Sequence, residues 1–160
     1  MKIDSRLRAL LNYDAATGVF RWLVAPNRRI KPGSVAGCLD TKGYRYIICD
    51  GRRYLEGRLA WFYTTGAWPK DQIDHIDGNK SNNRFANLRE ATQSQNMQNQ
   101  RRAMRSNKIG VLGVSLDRGK FRAQIWFDGK QKFLGYFATA EAAHAAYLAA
   151  KRKFHPTCTI

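Results

Sequence analysis

Apolar positions recur along the chain in short, period-specific runs separated by turn chemistry. Leu7, Leu10 and Leu11 share a helical face, and Asp4 or Ser5 is placed to cap it, which predicts a helix over 4–12. Gly18–Trp22 and Tyr44–Cys49 read as strands, and Asp50-Gly51 predicts a hairpin into Arg52–Leu55. Arg58–Tyr63 predicts a short helix ended by Gly66, with Pro69 just beyond. Residues 70–87 are rich in Asp, Asn and Gly and show little regular pattern. Thr92 and Gln95 have capping-box spacing and predict a helix over about 93–103, and 106–108 reads as a linker. The last third reads β-β-β-α. Strands are expected at 110–116, 120–127 and 130–137, with a tight turn at Asp128-Gly129. Thr139 caps an Ala-rich helix to about Lys153, with Glu141 in its first turn where the helix dipole favours an acid. The second of these strands alternates. Phe121, Ala123, Ile125 and Phe127 face the helix residues Ala142, Ala143, Ala146 and Tyr147, which leaves Arg122, Gln124 and Trp126 on the other side.

Charge narrows the partner. The 160 residues carry 28 Lys and Arg against 12 Asp and Glu, a net of +16. Residues 1–70 hold 13 basic and 5 acidic side chains, 71–105 hold 6 and 4, and 106–160 hold 9 and 3. Two basic flanks surround a nearly neutral middle, which points to a polyanion, because basic side chains displace counterions condensed on phosphates. Hydrophobic residues make up 44% of the chain, enough for packed cores, yet no run approaches the roughly 20 apolar residues of a membrane span. The start, Met1 to Arg6, lacks the apolar run of a signal peptide. Cys38, Cys49 and Cys158 are odd in number and form no CxxC, so neither a disulfide framework nor a zinc knuckle is expected, and the chain reads as cytoplasmic.

The chemistry lies in the middle. Phosphodiester hydrolysis needs a base for water and a cation for the charge on phosphate and leaving oxygen. Neutral imidazole serves as base near pH 7, and a hard cation such as Mg²⁺ takes carboxylates, waters and phosphate oxygens. Asp74 and His75 are adjacent, so on an extended backbone one can hold metal while the other faces water. Asn96, in the first turn of the following helix, can add an amide oxygen, and Asn87 can hydrogen-bond the imidazole and fix its tautomer. Asp77, Asn79, Asn82 and Asn83 are expected to shape turns. A calcium EF-hand is excluded, since the twelfth position from Asp74 is Phe85 rather than Glu.

The run Asp74-His75-Ile76-Asp77-Gly78-Asn79-Lys80-Ser81-Asn82-Asn83, continued by Asn87-Leu88-Arg89 to Asn96, closely resembles the HNH endonucleases of phage and intron origin, in their H-N-N form. The resemblance implies a ββα-metal fold, His75 as general base, Asp74 and Asn96 as ligands of one divalent ion (Mg²⁺ or Mn²⁺), and Asn87 as the residue that orients His75. It departs at Gly57-Arg58-Leu59-Ala60-Trp61, where many phage relatives begin with His; the missing hydrogen-bonding side chain is expected to weaken activity. Gly113-Val114-Ser115, Phe121–Ile125, Leu134–Phe137 and Thr139–Ala143 resemble the plant ethylene-response-factor DNA-binding domain over about 108–154, with Leu112 and Ser115 where that family has Arg.

The expected fold class is therefore α+β. An N-terminal mixed α/β leader (1–69) is followed by a ββα-metal nuclease motif (70–105) and a three-stranded antiparallel sheet packed on one helix (106–160). Arg28, Arg29, Arg101, Arg102, Lys120, Arg122, Gln124, Trp126 and Lys132 are the expected DNA contacts, and Lys31, Arg45, Arg52 and Arg53 are further basic candidates in the leader. His144 is expected to be neither ligand nor base, and His155 to be exposed. The expected partner is double-stranded DNA. The protein is expected to act as a monomeric, site-specific nickase, homing or free-standing, in a phage-infected host. The alternatives are a catalytically impaired DNA-binding regulator and an RNA-binding accessory protein.

Overall fold

The structure, a computed structural model, describes residues 3–155 and Cys158; Met1, Lys2, Pro156, Thr157, Thr159 and Ile160 lie outside the described residues. The chain divides into two compact units, 1–92 and 93–160. The boundary expected at 69/70 thus falls inside the first unit, and that at 105/106 inside the second.

In the first unit, α1 (Ile3–Leu10) runs directly into β1 (Leu11–Asp14), which pairs antiparallel with β2 (Val19–Trp22). The sequence reading carried the helix to residue 12. Leu11 instead enters a strand opposite Trp22, and both side chains are buried in the core. β3 (Cys38–Leu39), β4 (Arg45–Cys49) and β5 (Arg52–Leu55) form an antiparallel sheet in that order. Asp50 (φ 48°) and Gly51 (φ 73°) make the β4–β5 turn, both in the left-handed region such a turn requires. α2 (Glu56–Thr65) ends at Gly66, whose φ of 79° allows its N–H to reach the Phe62 carbonyl. β6 (Gln72–His75) and β7 (Leu88–Ala91) pair antiparallel, with a single 3-10 turn at Phe85–Asn87 before β7. Leu7, Leu11, Phe20, Trp22, Ile47, Leu59, Ala60 and Leu88 form one core, so the leader and the β6–β7 hairpin fold as a single packed body.

The second unit opens with α3 (Gln93–Gln98), shorter than the helix expected to reach 103. The Asn99 N–H is already shared between the Gln95 and Asn96 carbonyls, the bifurcated pattern of a helix end. β8 (Val114–Asp117), β9 (Lys120–Phe127) and β10 (Lys130–Phe137) form an antiparallel sheet with β9 central, backed by α4 (Ala140–Phe154). β8 begins four residues later than expected because Asn107 holds 109–114 in a loop. Its amide donates to the Val111 and Val114 carbonyls and accepts from the N–H of Ile109. Thr139 caps α4 through the Ala142 N–H, a contact of about 1 kcal/mol. Ala143, Tyr147 and Ala150 bury against Ala123 and Ile125, whereas Ala142 is exposed. Gly113 (φ 76°) makes this packing possible, since a Cβ there would lie 2.0 Å from the Tyr147 ring. Among the described residues, no helix is long and apolar enough to cross a membrane.

Candidate active site

His75 ends β6 opposite Leu88, and Asp74 precedes it opposite Arg89. Alternation along the strand sends the two side chains to opposite faces. Asp74 is 5% exposed, and its Oδ2 accepts from both Nε (2.8 Å) and Nη2 (2.7 Å) of Arg89. His75 is 6% exposed, with Nε2 3.0 Å from the side-chain oxygen of Asn83.

Asp77 organises the loop between the strands. It accepts from the Asn79 N–H (2.8 Å) and from the amides of Asn82 (2.7 Å) and Asn87 (2.9 Å). Burial pushes the Asp77 carboxyl up, but these donors and the His75 charge outweigh it and hold it below the usual carboxylate value. The structure corrects the expected role of Asn87. Its side chain accepts from the Asp77 N–H (3.0 Å) and donates to Asp77 and to the Asn82 carbonyl (2.8 Å), closing the loop instead of reaching the imidazole. Asn83, expected from the sequence to form a turn, is instead a residue that contacts the imidazole. A turn residue faces solvent, but Asn83 is 1% exposed. Asp77, Asn79 and Asn82 do shape turns.

Behind Asn83 stands Glu56, in the first turn of α2 and 1% exposed. Its Oε2 accepts from the Asn83 amide (3.2 Å) and from Nε of Arg45 (2.9 Å). Burial raises the Glu56 carboxyl above its ordinary value, and the Arg45 and Asn83 contacts pull it partly back. Arg45, one of the basic candidates in the leader, also donates to the Ala36 carbonyl (2.9 Å) and is engaged inside the fold. Glu56 escaped the sequence reading, although Glu56, Leu59 and Ala60 share one i, i+3, i+4 face that is wholly buried. Gly57, the departure from the phage pattern, also faces this site. A Cβ there would lie 3.3 Å from the Asn83 side-chain oxygen and 3.6 Å from Cε1 of His75.

The leader braces the loop from outside. Tyr13 donates its hydroxyl to the Asn83 carbonyl (2.7 Å), and the Phe85 N–H donates to the Ala15 carbonyl (3.2 Å). Gly18 (φ 75°) lies so close to the Asn83–Arg84 peptide that a Cβ would fall 2.3 Å from the Arg84 nitrogen. Burial pushes the Tyr13 phenol up to about 12, so this donor stays protonated at neutral pH.

Among the described residues, no group of three or more His, Cys, Asp or Glu side chains is arranged to hold a metal ion. The expected donors, the Asp74 carboxylate and the Asn96 amide oxygen, are hard oxygen donors. Such a sparse set fits a cation that keeps water and phosphate ligands. Asn96 lies on α3, in the second unit, and is half-buried.

The expected DNA contacts fall in three places. Arg28 and Arg29 are exposed on the loop between β2 and β3. Arg101 and Arg102 are exposed after α3 and line a cleft with Arg105, Leu112 and His144. Lys120, Arg122, Gln124 and Trp126 occupy the β9 face turned away from α4, and Trp126 is 64% exposed. Phe133, opposite Gln124, shares that face, and a bulge between Phe133 and Gly135 brings Tyr136 onto it opposite Arg122. Arg122 Nε and Gln124 Oε1 are buried there without a hydrogen-bond partner in the protein. Lys132 departs from this grouping. It pairs with Ile125, on the α4 side, and its ammonium lies 4.4 Å from the Phe154 ring centre. His144 donates from Nδ1 to the Leu112 carbonyl (2.9 Å). His155, expected to be exposed, is 7% exposed and donates from Nε2 to the Trp126 carbonyl (2.7 Å). Among the described residues, Cys38, Cys49 and Cys158 form no disulfide.

The HNH endonuclease family pattern matches residues 56–98, a span from Glu56 to the end of α3. The chain is 34% identical over 93 residues to Protein 3.8 of Escherichia phage T7, across 56% of this chain and 74% of that protein. It is 33% identical over 110 residues to an HNH endonuclease of Acanthamoeba polyphaga mimivirus, across 68% of this chain and 57% of that protein. No solved structure matches the chain significantly. With the family pattern spanning the Asp-His strand and its return strand, and two viral relatives at 33–34% identity, one of them named an HNH endonuclease, the chain belongs to the HNH endonuclease family.

Proposed function

We propose that this protein is a DNA endonuclease that hydrolyses phosphodiesters in double-stranded DNA, with His75 as general base and Asp74 and Asn96 as ligands of one divalent cation, Mg²⁺ or Mn²⁺. The observation that carries the reading is the His75 imidazole, held at a strand end by Asn83 in a site walled by buried side chains. A divalent cation, when bound, offsets charge on the phosphate and the leaving oxygen. His75 takes the proton from water, and fixing its ring removes a rotational cost from the reacting state. Arg89 orients the Asp74 carboxylate through one oxygen. Asn87 keeps the loop closed around Asp77.

The sheet face with Arg122, Gln124, Trp126 and Phe133 supports a DNA grip. Its exposed Trp126, Phe133 and Tyr136, with Lys120 and Arg122 on the same face, suit it to a DNA groove and its phosphates. This is the role expected of an ethylene-response-factor-like domain. One motif acting in a monomer cuts one strand, so the products are nicked circles bearing 5′-phosphate and 3′-hydroxyl ends, in a phage setting of homing or free-standing cleavage. A second reading, a DNA-binding regulator with an impaired centre, is favoured by Gly57 and by the Arg89 clamp on Asp74.

Supercoiled plasmid with Mg²⁺ or Mn²⁺ separates the two. Open circles that vanish with EDTA and with His75→Ala establish the nuclease and its base. Tight binding without cleavage under either cation establishes the regulator.

A further inference from the structure

The Asn83 amide has two chemically different ends. Its NH2 lies 3.2 Å from Glu56 Oε2, and its oxygen lies 3.0 Å from His75 Nε2. An ionised carboxylate only accepts hydrogen bonds, so the NH2 end must face Glu56. That leaves the carbonyl oxygen for the imidazole. A carbonyl also only accepts, so the proton of neutral His75 sits on Nε2 and the lone pair on Nδ1.

Glu56 is itself fixed. Arg45 Nε contacts both carboxylate oxygens, at 2.9 and 3.1 Å, and a guanidinium there favours the ionised form. Gly37 leaves the room it needs, since a Cβ at that position would lie 2.2 Å from Glu56 Oε1. The four side chains come from β4, α2, the loop and β6, so the order Arg45–Glu56–Asn83–His75 exists only in the folded unit.

We infer that Glu56 is a positioning residue which, acting through Asn83, sets the His75 tautomer, with the proton on Nε2 and the basic lone pair on Nδ1. This rests on His75 being the base. Without Glu56 the Asn83 amide has no reason to prefer one orientation. Turned over, it would offer NH2 to Nε2, move the imidazole proton to Nδ1, and turn the lone pair toward Asn83.

The test reads the tautomer directly, by imidazole 15N–1H correlation on the full metal-free chain with its histidines neutral. His75 is assigned by the signals lost in His75→Gln. Wild type is expected to show the Nε2–H form; an Nδ1–H form overturns the inference without needing any variant at Glu56. Glu56→Gln can donate to the Asn83 oxygen. It is expected to shift His75 toward Nδ1–H and to lower kcat for nicking about 10²-fold with KM within about twofold. Adding Asn83→Asp supplies an acceptor-only group to Nε2 and keeps one negative charge in the pair. The double variant is therefore expected to recover the Nε2–H form and most of kcat. A folded Glu56→Gln protein that loses kcat while keeping the Nε2–H form, or keeps kcat within about threefold, overturns the inference. Cleavage surviving in His75→Ala instead refutes His75 as the base, and leaves the tautomer result standing.

Discussion

Gly57→Ala sets two opposed effects against each other at one atom. Gly57 lies in the first turn of α2 and is buried, and its φ needs no glycine. Replacing helical Gly by Ala stabilises by about 0.5–1 kcal/mol through backbone entropy, and burying one methyl adds up to about 0.8 kcal/mol. The new Cβ would meet Ile73 Cγ2 at 3.5 Å and His75 Cε1 at 3.6 Å, both ordinary contacts. Against this stands the 3.3 Å approach to the Asn83 oxygen, which must give by a few tenths of an ångström. That oxygen holds His75 Nε2 at 3.0 Å, and stretching one hydrogen bond costs at most about 1 kcal/mol. With the methyl fully buried and the hydrogen bond at its full cost, the sum favours the variant by about 0.3–0.8 kcal/mol in stability, while cleavage falls a few-fold because the imidazole is held less firmly. Urea unfolding followed by tryptophan fluorescence reads the first, since Trp22, Trp61 and Trp68 all lie in the first unit. Single-turnover nicking reads the second. A destabilisation of more than about 1 kcal/mol would mean that the Asn83 oxygen cannot yield, and would refute a net gain from the added methyl.

Two further outcomes follow from the structure. Asp77 is held below its ordinary value, so the unfolded chain binds its proton more readily; the resulting stability is present above about pH 4 and is lost as pH falls through the lowered value. The stability gap between wild type and Asp77→Asn, measured by denaturant titration, should accordingly be open at pH 7 and narrow progressively in acid; a gap independent of pH would refute the carboxylate's role. On the sheet, Arg122→Ala should weaken DNA binding by about 1–3 kcal/mol at fixed salt, while Lys132→Ala, on the opposite side of β10, should change it less than about twofold. Equal losses in a fluorescence-anisotropy titration would show that the exposed face is not the one in contact.

Periodicity and turn chemistry were most readable where local rules act alone. β9, β10, the turn at Asp128-Gly129 and the Thr139 cap lie where the pattern places them. Failures came where a tertiary partner overrode the local preference. Leu11 reads as the end of a helix but is drawn into a strand by Trp22. Asn107 is a different case: its four hydrogen bonds are all local, to residues 109–114, and they hold a loop where apolar pattern alone reads a strand. The site divides in the same way. Asp74 and His75 were legible because adjacency on a strand is a local property. The partner of the imidazole was not, since Asn82, Asn83 and Asn87 are chemically alike and only the path of the loop decides which one turns inward. Glu56 is nineteen positions from His75 in sequence, and its relevance depends on packing of α2 against β6.

The brace that Tyr13 and Gly18 give the Asn83 loop bears on how such proteins diversify by exchange of segments. The Gly18–Arg84 approach leaves no space for a side chain, so a recombination event between relatives that imports the loop without the hairpin of β1 and β2 would inherit a mismatch at that contact. The smallest heritable block for this centre therefore begins near residue 11 rather than at the motif. A graft of 70–105 alone onto a new DNA-binding scaffold would leave behind the residues that keep Asn83 in place.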